Sequence, residues 1–200
     1  MKKCHVVGAG DFTPSLLQKE KDDLLIAADL GYRYLSQMGL TPDFFVGDGD
    51  SLGEIPEDVP RVVLPCEKDD TDILSALRLG LEKGYTHFCI YGALGGKRLS
   101  HTIANIQTLS FLQEKGAEGT LYDENYTVSL LPPGAYRFSF VSGYFSLFAM
   151  EEGTVSIQGA KFPLEMEVLK PSFPKGVSNE GTENTLITVH SGKILLVREK

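Results

Sequence analysis

Two clusters of acidic residues are the part of this sequence with the clearest chemical potential. The chain has 200 residues and a formal net charge of −8, and its thirty residues from Asp43 to Asp72 hold ten acids against two bases. The first cluster is Gly47-Asp48-Gly49-Asp50-Ser51 and the second is Lys68-Asp69-Asp70-Thr71-Asp72. These thirty residues therefore account for the whole net charge of the protein.

Carboxylates that share a pocket need a counter-charge. Two unit charges about 4 Å apart at an effective dielectric constant of about 20 repel each other by roughly 4 kcal/mol. A bound cation removes this repulsion, and an all-oxygen ligand set favours Mg²⁺, Mn²⁺ or Ca²⁺ over zinc. If the fold brings the two clusters together, we expect a divalent metal site. A solvated acidic loop is the alternative that the clusters alone leave open.

A glycine-rich turn next to two bases offers an anion-binding element. The segment Gly92-Ala93-Leu94-Gly95-Gly96 follows an apolar run and precedes Lys97, Arg98 and a predicted helix. Backbone N–H groups and the dipole at a helix N-terminus favour anions, and an arginine side chain can bind a phosphate through two hydrogen bonds. A tight turn that needs glycine only for its backbone angles is the alternative.

Neither of the common phosphate-binding fingerprints is complete. Gly8-Ala9-Gly10 begins a dinucleotide-binding motif, but Thr13 stands at the third glycine position. Around Gly96-Lys97, a P-loop requires glycine where Tyr91 stands and serine or threonine where Arg98 stands. The chemistry must therefore be inferred from the arrangement of the elements.

Alternating strands and helices are predicted for the first 120 or so residues. Short apolar runs predict strands at residues 4–7, 24–28, 44–46, 61–64 and 87–91. Helical spacing predicts one helix over residues 73–81 that Gly84 ends, and a second with Ser100 as N-cap that stops at Gly116. We interpret the apolar stripe of the second helix, residues 103–112, as core. Because ligands bind beyond the carboxyl ends of the strands in open α/β sheets, Asp29, both acidic clusters and the glycine-rich turn should share one crevice.

From about residue 121 the pattern changes to short alternating runs. They are broken by Pro132-Pro133-Gly134, Ser142-Gly143 and Glu151-Glu152-Gly153, which is typical of antiparallel strands, and no further amphipathic helix is visible. We therefore predict two domains. Residues 1–120 form a three-layer α/β domain with a mainly parallel sheet, and residues 121–200 form an antiparallel β-sandwich.

Composition limits the environment and the partners. The sequence contains no apolar run of about 18 residues and no leader, so we expect neither a membrane span nor a secretory signal. The three cysteines are far apart, and Cys4 and Cys89 lie inside apolar runs, which predicts buried free thiols and a reducing, cytoplasmic location. The negative charge argues against nucleic acids and anionic membranes as partners.

Taken in order, these motifs resemble those of the thiamine pyrophosphokinase family along nearly the whole chain. In the first half, residues 27–31, the two acidic clusters and residues 92–101 are similar to that family's aspartate, metal and glycine-loop motifs. In the second half, residues 159–164 and 176–180 resemble its thiamine-side segments. The chain departs from the family pattern at Leu30, where a second glycine is usual, at Ser100, where aspartate is usual, and by one extra base beside Arg98.

The resemblance implies transfer of the diphosphate group of ATP to thiamine, giving thiamine diphosphate and AMP, with Mg²⁺ or Mn²⁺ as the metal cofactor. It also implies a homodimer whose active sites combine the α/β domain of one subunit with the β-domain of the other. The residues that it places in the site fall into three groups. Asp48, Asp50 and Asp72 are catalytic and hold the metal with Asp69; the ATP-binding residues are Asp29, Lys68, Thr71, Arg98 and His101; and the thiamine-binding residues are Phe162, Ser178 and Asn179.

Two other functions stay open at this point. Asp48-x-Asp50 after a strand also suits a metal-dependent nucleotide-sugar transferase, although that function leaves the second acidic cluster and the C-terminal half unexplained. The departures at Leu30 and Ser100 fit a sensor that binds thiamine or a nucleotide without catalysis. Release of AMP together with thiamine diphosphate separates the kinase from both alternatives.

Overall fold

The described part of the chain comprises residues 2–49, 52, 59–61, 70–139 and 143–200 of a computed structural model. Its elements give a mixed α/β fold, as predicted. The chain divides into two units, Met1–Glu124 and Asn125–Lys200. Within the described ranges, no helix is both long and apolar enough to cross a membrane.

The N-terminal unit is built on parallel strands. Its elements are β1 (Cys4–Val7), β2 (Leu24–Ala28), α1 (Gly31–Gln37), β3 (Phe44–Val46), α2 (Asp72–Glu82), β4 (His87–Tyr91), α3 (Leu99–Glu114) and β5 (Glu118–Tyr122). A short 3-10 turn at Pro14–Leu16 lies between the first two strands. The strands pair side by side in the order β5-β4-β1-β2-β3, and each of these pairings is parallel.

Helices pack closely against this sheet. A Cβ added at Gly80 of α2 would lie 2.5 Å from the ring of Phe88 and 2.9 Å from Cys4 Sγ, so the backbone of α2 almost touches β4 and β1. An apolar cluster joins Leu35 of α1 to buried residues of the sheet such as Phe45. A parallel strand with both faces covered is buried on both sides, and its sequence is then a continuous apolar run. All five residues of β2 are buried in this way.

The C-terminal unit is all β. Its strands are β6 (Tyr126–Leu131), β7 (Gly134–Phe138), β8 (Tyr144–Ala149), β9 (Gly153–Ala160), β10 (Leu164–Leu169), β11 (Asn179–Val189) and β12 (Ile194–Glu199). Every pairing between them is antiparallel, and the long strand β11 pairs with β8 through its first two residues and with β7 and β9 through the rest. One apolar core contains inward side chains from six of these strands, among them Phe145, Ile157 and Ile187.

The start and the buried face of α3 differ from the prediction. The N-cap is Arg98 and makes no side-chain capping bond, so the prediction that Ser100 caps the helix is wrong by two residues. Ile103 is 52% exposed, so the predicted core stripe is also wrong in its first turn. The buried face runs instead through Asn105, Thr108, Leu109 and Leu112. It is shifted because the side-chain amide of Asn105 donates a hydrogen bond to the carbonyl of Ala93, which belongs to the glycine-rich turn.

Three elements, α1, β5 and β10, have no counterpart in the sequence prediction. Strand β10 lacks a clean alternation because its register against β9 shifts between Leu164 and Glu167, where Met166 has a φ of 47°. Of the predicted strand 61–64, only Arg61 is described, and it forms an isolated parallel bridge with Phe45. Cys4 and Cys89 are buried free thiols, as expected.

A buried polar chain runs across one face of the N-terminal sheet. His5 Nε2 lies 3.1 Å from Asp23 Oδ2, and His5 Nδ1 lies 3.3 Å from the hydroxyl of Tyr91. Burial lowers the pKa of His5 and outweighs the attraction of Asp23. Although burial raises the pKa of Asp23, bonds from the backbone N–H groups of Lys3 and Glu20 and from His5 lower it on balance. The folded protein therefore favours a neutral His5.

We expect this histidine to make the stability of the protein sensitive to acid. A histidine with a lowered folded pKa stabilises the fold above its ordinary pKa of 6.5, and this contribution is lost as the pH falls through the folded pKa. Between about pH 7 and about pH 5, the free energy of unfolding should fall more steeply for the wild type than for His5→Gln. Denaturant unfolding at a series of pH values measures both slopes.

The matched control is His190→Gln, which removes an exposed histidine of the C-terminal unit that contacts Ser156. This variant should keep the slope of the wild type. Equal slopes for the wild type and His5→Gln would show that His5 does not carry the pH dependence.

Candidate functional site

The carboxyl ends of three strands of the N-terminal unit open into one cleft. Its cavity volume is about 100 Å³, smaller than the roughly 300–1,000 Å³ that is typical of small-molecule sites. The cleft brings together five of the predicted site residues, which lie on the loop after β2, at the start of α2 and at the start of α3: Asp29, Thr71, Asp72, Arg98 and His101. Three further predicted residues, Asp50, Lys68 and Asp69, lie outside the described residues.

Asp29 is held in an unusual backbone conformation at the end of β2. Its φ is 51°, in the left-handed region that few residues other than glycine adopt. Its N–H donates to the carbonyl of Val46, and its carbonyl accepts from the N–H of Tyr32. A Cβ at Gly31 would lie 1.8 Å from the carbonyl oxygen of Val7, so glycine is required there. These contacts fix Asp29 at the mouth of the cleft.

The loop after β3 places Asp48 near Asp29. Arg61 Nη2 donates to the carbonyl oxygens of Gly47 at 3.2 Å and Asp48 at 3.1 Å. A Cβ at Gly47 would lie 3.4 Å from the backbone of Asp29. Arg61 therefore holds the loop through its backbone, and Asp48 is an exposed residue.

Asp72 stands at the first position of α2, where three carboxylates influence one another. The hydroxyl of Thr71 caps this helix by accepting a hydrogen bond from the N–H of Leu74 at 3.2 Å. Desolvation raises the pKa of Asp72, and the charges of Asp29 and Asp48 raise it further, while His101 acts in the opposite direction. Burial is the largest of these influences, and the two neighbouring carboxylates add to it.

Asp70 belongs to the same acidic cluster but has a different partner. Its Oδ2 accepts a hydrogen bond of 2.9 Å from Nε of Arg78 on α2. The guanidinium of Arg78 also lies 5.0 Å from the centre of the Phe111 ring on α3. Asp70 therefore forms an ion pair with a residue of α2, whereas the next residue in the sequence, Thr71, lines the cleft.

The glycine-rich turn after β4 is fixed from two sides. The N–H of Gly10 donates to the carbonyl of Gly92 at 2.7 Å, which ties the turn to the loop after β1. From α3, Nδ2 of the buried Asn105 donates to the carbonyl of Ala93 at 2.7 Å, and the hydroxyl of Thr102 donates to the carbonyl of Gly95. Sequence reasoning missed Asn105, although a polar side chain within an apolar helical stripe was a signal for it.

The described acidic residues supply carboxylates suited to a divalent cation but no complete ligand set. Within residues 2–49, 52, 59–61, 70–139 and 143–200, no three His, Cys, Asp or Glu side chains lie close enough together to hold a metal ion. The carboxylate oxygens of Asp48 and Asp72 are nevertheless the ligand type that Mg²⁺ and Mn²⁺ prefer. Asp29 and Asp48 add to the effect of burial on the pKa of Asp72, and an ion bound there would offset their repulsion.

The predicted thiamine-binding residues lie together in the C-terminal unit. The side-chain amide of the buried Asn179 bonds the backbone of Phe162 twice: Oδ1 accepts from its N–H at 3.0 Å and Nδ2 donates to its carbonyl at 2.7 Å. The ring of Phe162 is 56% exposed, with the ammonium of Lys161 5.6 Å from its centre. Ser178 has a φ of 55°, and its N–H donates to Ser146 Oγ. Asn179 thus fixes the backbone that presents an open aromatic face.

Known proteins with this sequence pattern identify the family. Residues 16–120 match the family described as "Thiamin pyrophosphokinase, catalytic domain". The thiamine pyrophosphokinase of Bacillus subtilis (strain 168) is 30% identical, and the match covers 82% of this chain and 82% of that protein. The chain belongs to the thiamine pyrophosphokinase family.

Solved structures of the family have the same fold over the whole chain. The thiamine pyrophosphokinase structure from Bacillus subtilis has a TM-score of 0.86 at 26% identity, with 100% of this chain and 99% of that chain covered. The yeast thiamin pyrophosphokinase has a TM-score of 0.79 at 15% identity, with 99% and 86% covered. At that identity the yeast structure supports the fold alone.

The backbone accommodates two of the three departures from the pattern of the thiamine pyrophosphokinase family. Leu30 has φ −56° and ψ −15°, an ordinary right-handed helical conformation that needs no glycine. Ser100 lies within the first turn of α3, where it makes no capping bond. Neither replacement therefore distorts the main chain around the cleft.

We expect Asp72→Asn to lower the turnover of ATP to AMP with thiamine by at least about a hundredfold, because it removes one preorganised charge contact from the cleft. The fold should remain intact. A carboxylate with a raised folded pKa stabilises the fold only at low pH, and this contribution is lost as the pH rises through the folded pKa. Asp72→Asn should therefore not lower the free energy of unfolding at neutral pH.

Asp70→Asn is the matched control, since it removes a neighbouring carboxylate whose partner is the exposed Arg78. Because ion pairs at the surface contribute little, this variant should keep turnover within about threefold of the wild type. Steady-state kinetics and thermal unfolding measure both variants. Near-normal turnover in Asp72→Asn would remove Asp72 from the catalytic residues.

Proposed function

We propose that this protein transfers the diphosphate group of ATP to the hydroxyl oxygen of thiamine, forming thiamine diphosphate and AMP. The observation that carries the proposal is the cleft in which Asp29, Asp72 and Arg98 converge, in a chain of the thiamine pyrophosphokinase family. Carboxylates suit the metal ion of a metal-bound polyphosphate, and the bases of the glycine-rich turn suit the phosphates themselves.

Positioning and charge neutralisation account for the catalysis. Phosphoryl-type transfers demand little covalent chemistry from a protein. Arg98 and Lys97 supply fixed positive charge at the cleft, and Lys68 adds a third base in our assignment. Asp29 and His101 contact the nucleotide side, while Thr71 sets the start of α2 and hence the position of Asp72.

We assign the metal site to four aspartates, Asp48, Asp50, Asp69 and Asp72. When bound there, Mg²⁺ or Mn²⁺ neutralises the charge on the triphosphate of ATP. The observation in support is that Asp29 and Asp48 both act electrostatically on Asp72. The residues of this chain then serve to hold the two substrates in line and to keep their charges balanced.

The two halves of the chain divide the substrates in this proposal. The N-terminal unit acts as a three-layer α/β domain that binds ATP and the metal, and the C-terminal unit acts as an antiparallel β-sandwich that binds thiamine. The exposed ring of Phe162 offers a surface on which an aromatic ring of thiamine stacks. Ser178 and Asn179 supply short hydrogen-bonding groups beside it. We place the protein in the cytoplasm, which agrees with its buried free thiols.

One assay tests this function against its alternatives. The purified protein is incubated with thiamine, ATP and Mg²⁺, and AMP and thiamine diphosphate are quantified with and without a metal chelator. We expect equal amounts of both products and no turnover once the metal is removed. Binding of thiamine or ATP without AMP release would favour a sensor, and turnover only with a nucleotide-sugar would favour the transferase.

We further propose a homodimer in which each active site combines the cleft of one subunit with Phe162 of the other. In a mixture of refolded Asp72→Asn and Phe162→Ala subunits, random pairing makes half of the dimers mixed, and each mixed dimer holds one intact site. About a quarter of the wild-type activity should therefore return. The initial rate of AMP release after joint refolding measures it.

Phe162→Ala is preferred to Asn179→Ala for this experiment because Asn179 holds the backbone of Phe162 and its loss would disturb the local fold. Sedimentation must first show that both variants form dimers and exchange subunits. With those controls in place, a mixture no more active than its parents would refute the shared site and leave the chemistry untouched.

A further inference from the structure

Asp11 does not line the cleft, but it forms two hydrogen bonds with the glycine-rich turn. It follows Gly10 in the loop after β1, and its N–H donates to the carbonyl of Leu94 at 3.1 Å. Its side chain reaches further along the same turn, where Oδ2 accepts a hydrogen bond of 3.2 Å from the N–H of Gly96. The residue after Gly96 is Lys97, which lines the cleft. A carboxylate thus occupies one of the backbone donors next to the cationic residues.

The turn is shaped around this carboxylate. A Cβ added at Gly95 would lie 2.1 Å from Asp11 Oδ2 and 2.8 Å from its Cγ, so the carboxyl group fills the space that a side chain at position 95 needs. Gly95 and Gly96 have φ values of 69° and 75°, in the region that favours glycine. A run of such residues loses much conformational entropy when it is ordered. The side chain of Asp11 therefore restrains the most flexible part of the turn.

We infer that Asp11 is a positioning residue for ATP: it fixes the Gly95-Gly96 backbone and thereby sets where Lys97 and Arg98 meet the phosphates. This inference rests on the proposed function. Asp11 acts through the turn, because its negative charge by itself would repel a phosphate. The hydrogen-bond acceptor is thus what matters for binding, and a neutral acceptor of the same shape should serve.

Two substitutions separate the acceptor from the charge. Asp11→Ala removes both, and because the Gly95-Gly96 backbone then loses the acceptor that restrains it, we expect the KM for ATP to rise on the order of tenfold. Asp11→Asn keeps an oxygen acceptor and should restore the KM for ATP to within about twofold of the wild type. The KM for thiamine should stay within about twofold in both variants, which a general folding defect would not allow.

Asp22→Ala is the matched control, since Asp22 is an exposed aspartate of the same unit. It should leave both KM values unchanged. An Asp11→Ala variant with an unchanged KM for ATP would overturn the inference. So would an Asp11→Asn variant as impaired as Asp11→Ala, because the charge itself would then be acting on substrate or metal.

A binding measurement keeps this test independent of turnover. Displacement of a fluorescent ATP analogue by ATP should need on the order of tenfold more ATP for Asp11→Ala than for the wild type or Asp11→Asn. If the wild type binds ATP but releases no AMP with thiamine, the proposed function fails while Asp11 is still tested. Wild-type affinity in a folded Asp11→Ala variant overturns the inference alone, and a wild type that binds no ATP overturns both.

A double variant tests the contact with Gly95 directly. Gly95→Ala should weaken ATP binding both through backbone strain at φ 69° and through collision with the carboxyl group. In Asp11→Ala/Gly95→Ala the collision is gone, so the combined loss of affinity should be smaller than the product of the two single losses. Fully multiplicative losses would show that the two residues do not interact and would overturn the proposed role of Asp11.

Discussion

Repulsion between carboxylates is the constraint on which the cleft depends. Asp29 and Asp48 follow the ends of two neighbouring strands, and they add to the effect of burial in raising the pKa of Asp72 at the start of α2. Such charges stay together only when the backbone holds them there and a cation can join them. The structure supplies the first condition through Arg61, which binds two carbonyl oxygens of the loop after β3, and through the capping hydroxyl of Thr71. The fold in this way holds the carboxylates where a bound metal ion would reduce their repulsion.

The phosphate side of the cleft depends on close backbone approach. The loops after β1 and β4 are joined by hydrogen bonds between main-chain atoms, and a Cβ at Gly92 would lie 2.5 Å from the carbonyl oxygen of Gly8. Glycine permits this approach at an entropic cost, and side chains offset that cost by holding the turn: Asn105 from one side and Asp11 from the other. The bases that follow in sequence are thereby attached to a restrained turn. A similar device recurs in the C-terminal unit, where the amide of Asn179 fixes the backbone of Phe162 and leaves its ring exposed.

The sequence by itself determined the elements whose pattern is local. Buried strands such as β2 are continuous apolar runs, and α2 has an amphipathic stripe, a capping threonine and a glycine after its end, so neither needed tertiary information. The motifs in their order also led to the thiamine pyrophosphokinase family before any geometry was known. Short or irregular elements escaped: α1 has only seven residues, and the register shift in β10 breaks the alternation that marks a strand.

Only the tertiary structure decided which polar groups act together, because side chains far apart in sequence meet through packing. The ion pair of Asp70 with Arg78 distinguishes that carboxylate from Asp72, although both stand in one cluster. The buried face of α3 differs from the predicted apolar stripe because the amide of Asn105 donates a hydrogen bond to the carbonyl of Ala93 in the glycine-rich turn. The N-cap of this helix is Arg98 and not the predicted Ser100. The bond from Gly96 to Asp11 joins residues 85 positions apart. Local patterns in the sequence specify strands and helices, whereas the partner of a polar group is fixed only when the chain has folded.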